Sequence, residues 1–154
     1  MPYVIKGMEN LPSKANNIFF YNHLAANDEN KLPNGHSFSI DSHFVSAKIL
    51  YPKYGDGGKR IVRASRNTEY WRHNFYENLD YIFVHTKESD LLNETHEEKR
   101  ERKDKFFKDA QDIINKGQPL VIAPEGTSET EDNFTETSPG PFKPGAFALA
   151  GQLK

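Results

Sequence analysis

The sequence predicts a single α/β domain: a mostly parallel sheet flanked by helices. Three observations point there. Four short apolar runs, Ile18–Tyr21, Arg60–Ala64, Tyr81–Val84 and Pro119–Ala123, have the length and the aromatic or β-branched content of buried strands. Stretches with helical spacing separate them, as crossover connections between parallel strands require. The chain of 154 residues has no internal repeat and is long enough for one real core.

The elements follow in order. Gly7 to Asn17 is an entry loop containing Pro12. Ile18–Tyr21 is the first strand and ends in Asn22–His23. Ala25 to Ser39 is rich in Asn and holds Pro33–Asn34–Gly35, which is loop chemistry. Asp41 to Tyr51 sets Phe44, Val45, Ile49 and Leu50 near helical spacing, and Pro52 is expected to stop that helix. Gly55–Gly58 is a turn into the second strand. Thr68 to Leu79 is predicted helical, with Thr68 as N-cap and Trp71, Phe75 and Leu79 four residues apart. Asn93 to Lys116 is the longest helix: a charge run comes first, then an apolar face of Phe106, Phe107, Ala110, Ile113 and Ile114, closed by Gly117. After the fourth strand come Pro124–Glu125–Gly126–Thr127, an acidic loop from Glu129 to Glu136, and a small-residue helix from Gly145. The single domain, residues 1–154, ends at Lys154 without a capping signal, and a further strand is expected beyond it.

Composition excludes several classes of function. Net charge is −2, so overall charge does not draw this chain to nucleic acid. There is no cysteine, which rules out disulfides, thiolate metal sites and a cysteine nucleophile, and agrees with a reducing, cytoplasmic compartment. No apolar run approaches the ~20 residues of a membrane span, so contact with lipid is expected from the side, on the cytoplasmic membrane face. The histidines show no metal-ligand spacing, and neither metal nor cofactor is expected.

Two stretches at strand ends carry candidate chemistry. At His23, with Asp28 five residues on, an imidazole can take a proton from a hydroxyl while a carboxylate fixes its tautomer. A surface histidine beside a loop aspartate is the commoner meaning of that pair alone. Glu125, Gly126 and Thr127 offer a carboxylate, a backbone amide and a hydroxyl together, which suits a polyol or phosphate. Alone, this too is an ordinary turn.

Their order along the chain changes the reading. His23–x4–Asp28 after one apolar strand and Pro124–Glu125–Gly126–Thr127 after a later one resemble the glycerophospholipid acyltransferase family, that of the 1-acylglycerol-3-phosphate acyltransferases. Gly7–Met8–Glu9–Asn10–Leu11–Pro12 is similar to the family's lead-in, and Pro141–Phe142–Lys143–Pro144–Gly145–Ala146–Phe147 to the stretch after its glutamate–glycine–threonine motif. The resemblance implies that His23 is a general base oriented by Asp28. It implies an acyl-CoA or acyl carrier protein donor, a glycerol-phosphate or lysophospholipid acceptor held by Glu125, Gly126 and Thr127, and no covalent acyl-enzyme.

This chain departs from the family pattern in places. Ser128 stands where the family has an arginine, and Phe83–Val84–His85–Thr86 replaces a stretch that ends in another. Lys87, with Arg63 or Arg66 as substitutes, is the expected replacement for gripping the acceptor. A second histidine–x4–aspartate runs from His36 to Asp41, and Ser42–His43–Phe44–Val45–Ser46 resembles the helix after the family's aspartate. Residues 24–40 then read as an insertion and Asp41 as the partner of His23; spacing alone favours Asp28. The family's fourth motif would lie past Lys154. Two other functions compete with acyl transfer: a non-catalytic lipid- or acyl-CoA-binding module, and a thioester hydrolase using His23 to activate water.

Overall fold

The computed structural model describes residues 3–23, 40–64, 70–85, 94–126 and 140–153. Four strands, β1 (Ile18–Phe20), β2 (Lys59–Arg63), β3 (Ile82–Val84) and β4 (Leu120–Ile122), form one sheet in the order β1-β4-β2-β3. Every neighbouring pair is parallel, as the sequence predicts. The carboxyl ends of all four strands therefore lie along one edge, where ligands bind in open α/β sheets.

Alternation along the strands assigns the two faces. On one, Leu120 of β4 and Ile82 of β3 join Ala110, Ile113 and Ile114 of α4 (His96–Asn115) and Leu149 of α5 (Pro144–Gln152) in the main core. Leu120 and Leu149 are fully buried; each contributes about 1.5–3 kcal/mol relative to exposure. On the other face Val121 and Leu50 both close on Gly58; Leu50 ends the π-helical segment (Val45–Leu50) of a helical stretch that begins with α1 (Ile40–Phe44) and continues as α2 (Tyr51–Tyr54). That face also receives Arg60, whose register partner is Val121.

The helix does not stop at Pro52. It runs to Tyr54 and ends at Gly55, which is left-handed at φ 72° and returns its N–H to the Tyr51 carbonyl at 2.8 Å. The π segment explains the difference: the Tyr51 N–H reaches back to the Ser46 carbonyl, and this wider turn relieves the ring clash by which proline breaks a regular α-helix.

Two other helices begin or pack differently from expectation. Thr68, the expected cap of α3 (Tyr70–Glu77), lies outside the described residues. Phe75 and Leu79 remain well exposed, and the contacts run through His73, stacked on Phe83 at 4.5 Å, and Tyr76, 5.7 Å from Tyr81. α4 starts at a capping box: the Thr95 hydroxyl accepts from the Glu98 N–H, and the Glu98 carboxylate accepts from the Thr95 N–H at 2.7 Å. Its apolar half lies against the sheet as predicted, with Phe106 and Phe107 at the rim of the core.

Candidate functional site

β1 delivers His23 to the carboxyl edge. Phe20 pairs with Ile122 across β1 and β4, so His23 and Glu125 each leave the sheet three residues beyond a register pair. Adjacent strands run about 4.8 Å apart. The two stretches that carry chemistry in the sequence thus emerge side by side.

The carboxylate at His23 is that of Asp41. His23 Nδ1 lies 2.8 Å from Asp41 Oδ2, with the two side chains 17% and 9% exposed. Asp28, the partner that spacing favours, lies outside the described residues, as does His36. Asp41 also accepts the Ser42 N–H on its other oxygen at 2.5 Å, which fixes the carboxylate at the first turn of α1. With Nδ1–H directed at Asp41, Nε2 is the nitrogen left to accept a proton. The Tyr21 ring meets the imidazole edge-on at 5.3 Å and limits its rotation. Burial, and next the negative charge of Asp41, push the Tyr21 phenol well above its ordinary range, so it stays protonated.

Glu125 is only 2% exposed, and neither carboxylate oxygen has a hydrogen-bond partner among the described residues. A buried carboxylate without a donor costs free energy that a ligand hydroxyl can return. Gly126 follows in a left-handed turn at φ 71°, bonded to the Ala123 carbonyl. A Cβ at Gly126 would sit 3.2–3.5 Å from the end of the Lys143 side chain, so the Lys143 ammonium overhangs this turn. The Lys143 N–H donates to the Pro124 carbonyl at 2.8 Å and ties the start of α5 to the end of β4. In the sequence Lys143 belongs to the stretch that resembles the family's and carries no sign of a site residue. Its proximity to Gly126 is a tertiary fact that spacing does not show.

The other predicted residues divide. Thr127, Lys87 and Arg66 lie outside the described residues. Arg63, at the carboxyl end of β2, donates to the Ala64 carbonyl at 3.1 Å. His85, just beyond β3, has a buried Nδ1 that finds no partner among the described residues, and burial followed by the nearby Arg102 cation lowers its pKa. Arg102 itself forms a bidentate pair with Glu94 at 2.6 and 2.7 Å. Among the described residues no cluster has the makings of a metal site, and no helix is long and apolar enough to cross a membrane.

A family model described as Acyltransferase matches residues 32–154. The chain belongs to the acyltransferase family. The matched stretch contains Asp41, Glu125 and Lys143, while β1 and His23 precede it. No curated protein and no solved structure matches the chain. Family membership supports acyl transfer in general, with an acyl donor and a lipid acceptor as its substrates.

Proposed function

We propose that the chain transfers a fatty acyl group from an acyl-CoA or acyl-carrier-protein thioester to a hydroxyl of a glycerol-phosphate or lysophospholipid acceptor, as 1-acylglycerol-3-phosphate acyltransferases do. The observation that carries this reading is the His23–Asp41 pair at 2.8 Å, beside the buried Glu125 on the carboxyl edge of the sheet. In this mechanism His23 Nε2 takes the acceptor proton as the oxygen attacks the thioester carbonyl. Asp41 holds the tautomer and balances the imidazolium. The tetrahedral intermediate collapses to the new ester, and the departing thiolate takes the proton from His23. Glu125 accepts a hydrogen bond from a second acceptor hydroxyl, with Gly126 and Thr127 completing that subsite. Lys143, whose ammonium overhangs Gly126, is assigned to an acceptor phosphate together with Lys87, or with Arg63 or Arg66 in its place, to replace the arginine absent at Ser128.

The test is transfer of radiolabelled acyl groups from acyl-CoA, and separately from acyl carrier protein, to a panel of glycerol 3-phosphate and lysophospholipid acceptors. Acceptor-dependent ester formation, abolished in His23→Ala, is the expected result. Release of free fatty acid without an acceptor would make the chain a thioester hydrolase instead. Binding of acyl-CoA with no turnover in the presence of every acceptor and donor would leave a binding module.

A further inference from the structure

Arg60 is the most deeply buried cation among the described residues, at 5% exposure. It sits in the second position of β2, well below the carboxyl edge, and its side chain reaches up to the helix that carries Asp41. Nη1 donates to the Ser42 hydroxyl at 2.7 Å, and Nη2 donates to the Ser42 carbonyl at 2.7 Å and to the Ser46 hydroxyl at 2.9 Å. The guanidinium lies over the Tyr81 ring at 5.3 Å, and no carboxylate is within ion-pair distance of it among the described residues. A buried cation without a direct counter-ion is costly, so its three hydrogen bonds to the helix must offset that cost. The nearby anion is one residue away from the grip: Asp41 precedes Ser42 and accepts the Ser42 N–H.

We infer that Arg60 is a positioning residue for the His23–Asp41 pair. Its planar fork fixes both the backbone and the side chain of Ser42. That sets the direction in which the Asp41 carboxylate leaves the first turn of α1, and hence its alignment with His23 Nδ1. A lysine can supply the charge but not two divergent donors in a fixed plane. The role rests on the acyl-transfer reading for its purpose, but not for its detection, because the His23–Asp41 hydrogen bond can be observed without substrate.

The experiment follows the His23 Nδ1 proton by NMR in ¹⁵N-histidine-labelled protein, together with kcat and KM for acyl transfer. Arg60→Lys is expected to shorten the exchange lifetime of that proton and to lower kcat about tenfold, with KM nearly unchanged. Ser42→Ala, which removes a single oxygen, is expected to act in the same direction and keeps the test open if Arg60→Lys folds poorly. Introduced into an Asp41→Asn background, Arg60→Lys is expected to add little further loss, since it acts through Asp41. A lowered Tm with an unchanged His23 resonance and unchanged kcat would overturn the inference, as would full additivity with Asp41→Asn. If no acceptor is ever acylated, the proposed activity fails, and the NMR result still decides whether Arg60 aligns the pair.

Discussion

His23 and Asp41 are separated by 18 residues in sequence and by 2.8 Å between Nδ1 and Oδ2. The pairing bridges the end of β1 and the first turn of α1, two elements that the sheet edge brings together. It makes Asp41, rather than Asp28, the aspartate whose loss is expected to matter. Asp41→Ala should lower acyl transfer about 10²–10⁴-fold, the range for losing an aligned acid–base partner, and Asp28→Ala should leave at least a tenth of the wild-type rate. The check is kcat/KM for both variants beside His23→Ala. The reverse ranking would reassign the partner to Asp28.

Glu125 sets stability against function. Among the described residues neither of its buried oxygens has a donor, so in the absence of ligand the carboxylate stands there as an uncompensated polar group. Glu125→Gln replaces a carboxylate with a neutral amide of the same shape. The ligand-free Tm is expected to rise while acceptor-dependent transfer falls at least about tenfold. Thermal unfolding and KM for the acceptor measure the two halves. A fall in Tm would mean that the carboxylate has a stabilising partner of its own.

The parallel sheet and the apolar face of α4 were legible in the sequence because both depend on local pattern: short β-rich runs, and Phe106, Phe107, Ala110, Ile113 and Ile114 at helical spacing. Glu125 was legible too, since a turn directly after a buried strand must lie on the carboxyl edge. The histidine–aspartate pairing was only half legible. A spacing rule favours the nearer aspartate, whereas the start of α1 brings Asp41, 18 residues on in the chain, to His23. The passage of the helix through Pro52 was hidden because a π turn leaves no composition signal. Lys143 and Arg60 were missed for a shared reason: each acts across elements, Lys143 over Gly126 and Arg60 on Ser42, and contacts of that kind have no period in the chain.

The turn into β2 offers a stability test away from the site. Gly58 has φ 81°, and a Cβ there would lie 2.6 Å from Val121 Cγ2, 3.1 Å from Leu50 Cδ1 and 3.3 Å from the Pro119 carbonyl. Both the left-handed backbone and the closeness of β4 therefore require glycine. Gly58→Ala is expected to destabilise the fold by about 2–4 kcal/mol, combining backbone strain with overpacking. Gly55→Ala is a useful contrast: it shares the positive φ but meets nothing within 4 Å, and should cost only about 1 kcal/mol. Urea unfolding of the two variants measures the difference, and equal losses would show that packing against Val121 contributes nothing.

Acidification is expected to weaken the fold in two stages, beginning at His85. Burial, and then Arg102, lower the His85 pKa below its ordinary 6.5, with His73 acting in the same sense and Glu94 opposing. The unfolded chain therefore binds this proton more readily than the folded one. Stability is intact above the unfolded value and is lost as pH falls from about 6.5 through the lowered folded value. Glu94 follows: its hydrogen bonds to Arg102 depress its pKa below 4.5, so its contribution is present above that value and lost only as pH falls through the depressed one. His85→Phe removes the first stage and leaves the second. Thermal unfolding between about pH 7.5 and pH 5 should then show a smaller fall in Tm for His85→Phe than for the wild type, with the two curves running parallel below about pH 4.5. Identical pH dependence across the upper window would show that the His85 imidazole is solvated well enough to titrate normally, and that the Glu94–Arg102 pair carries the acid sensitivity alone.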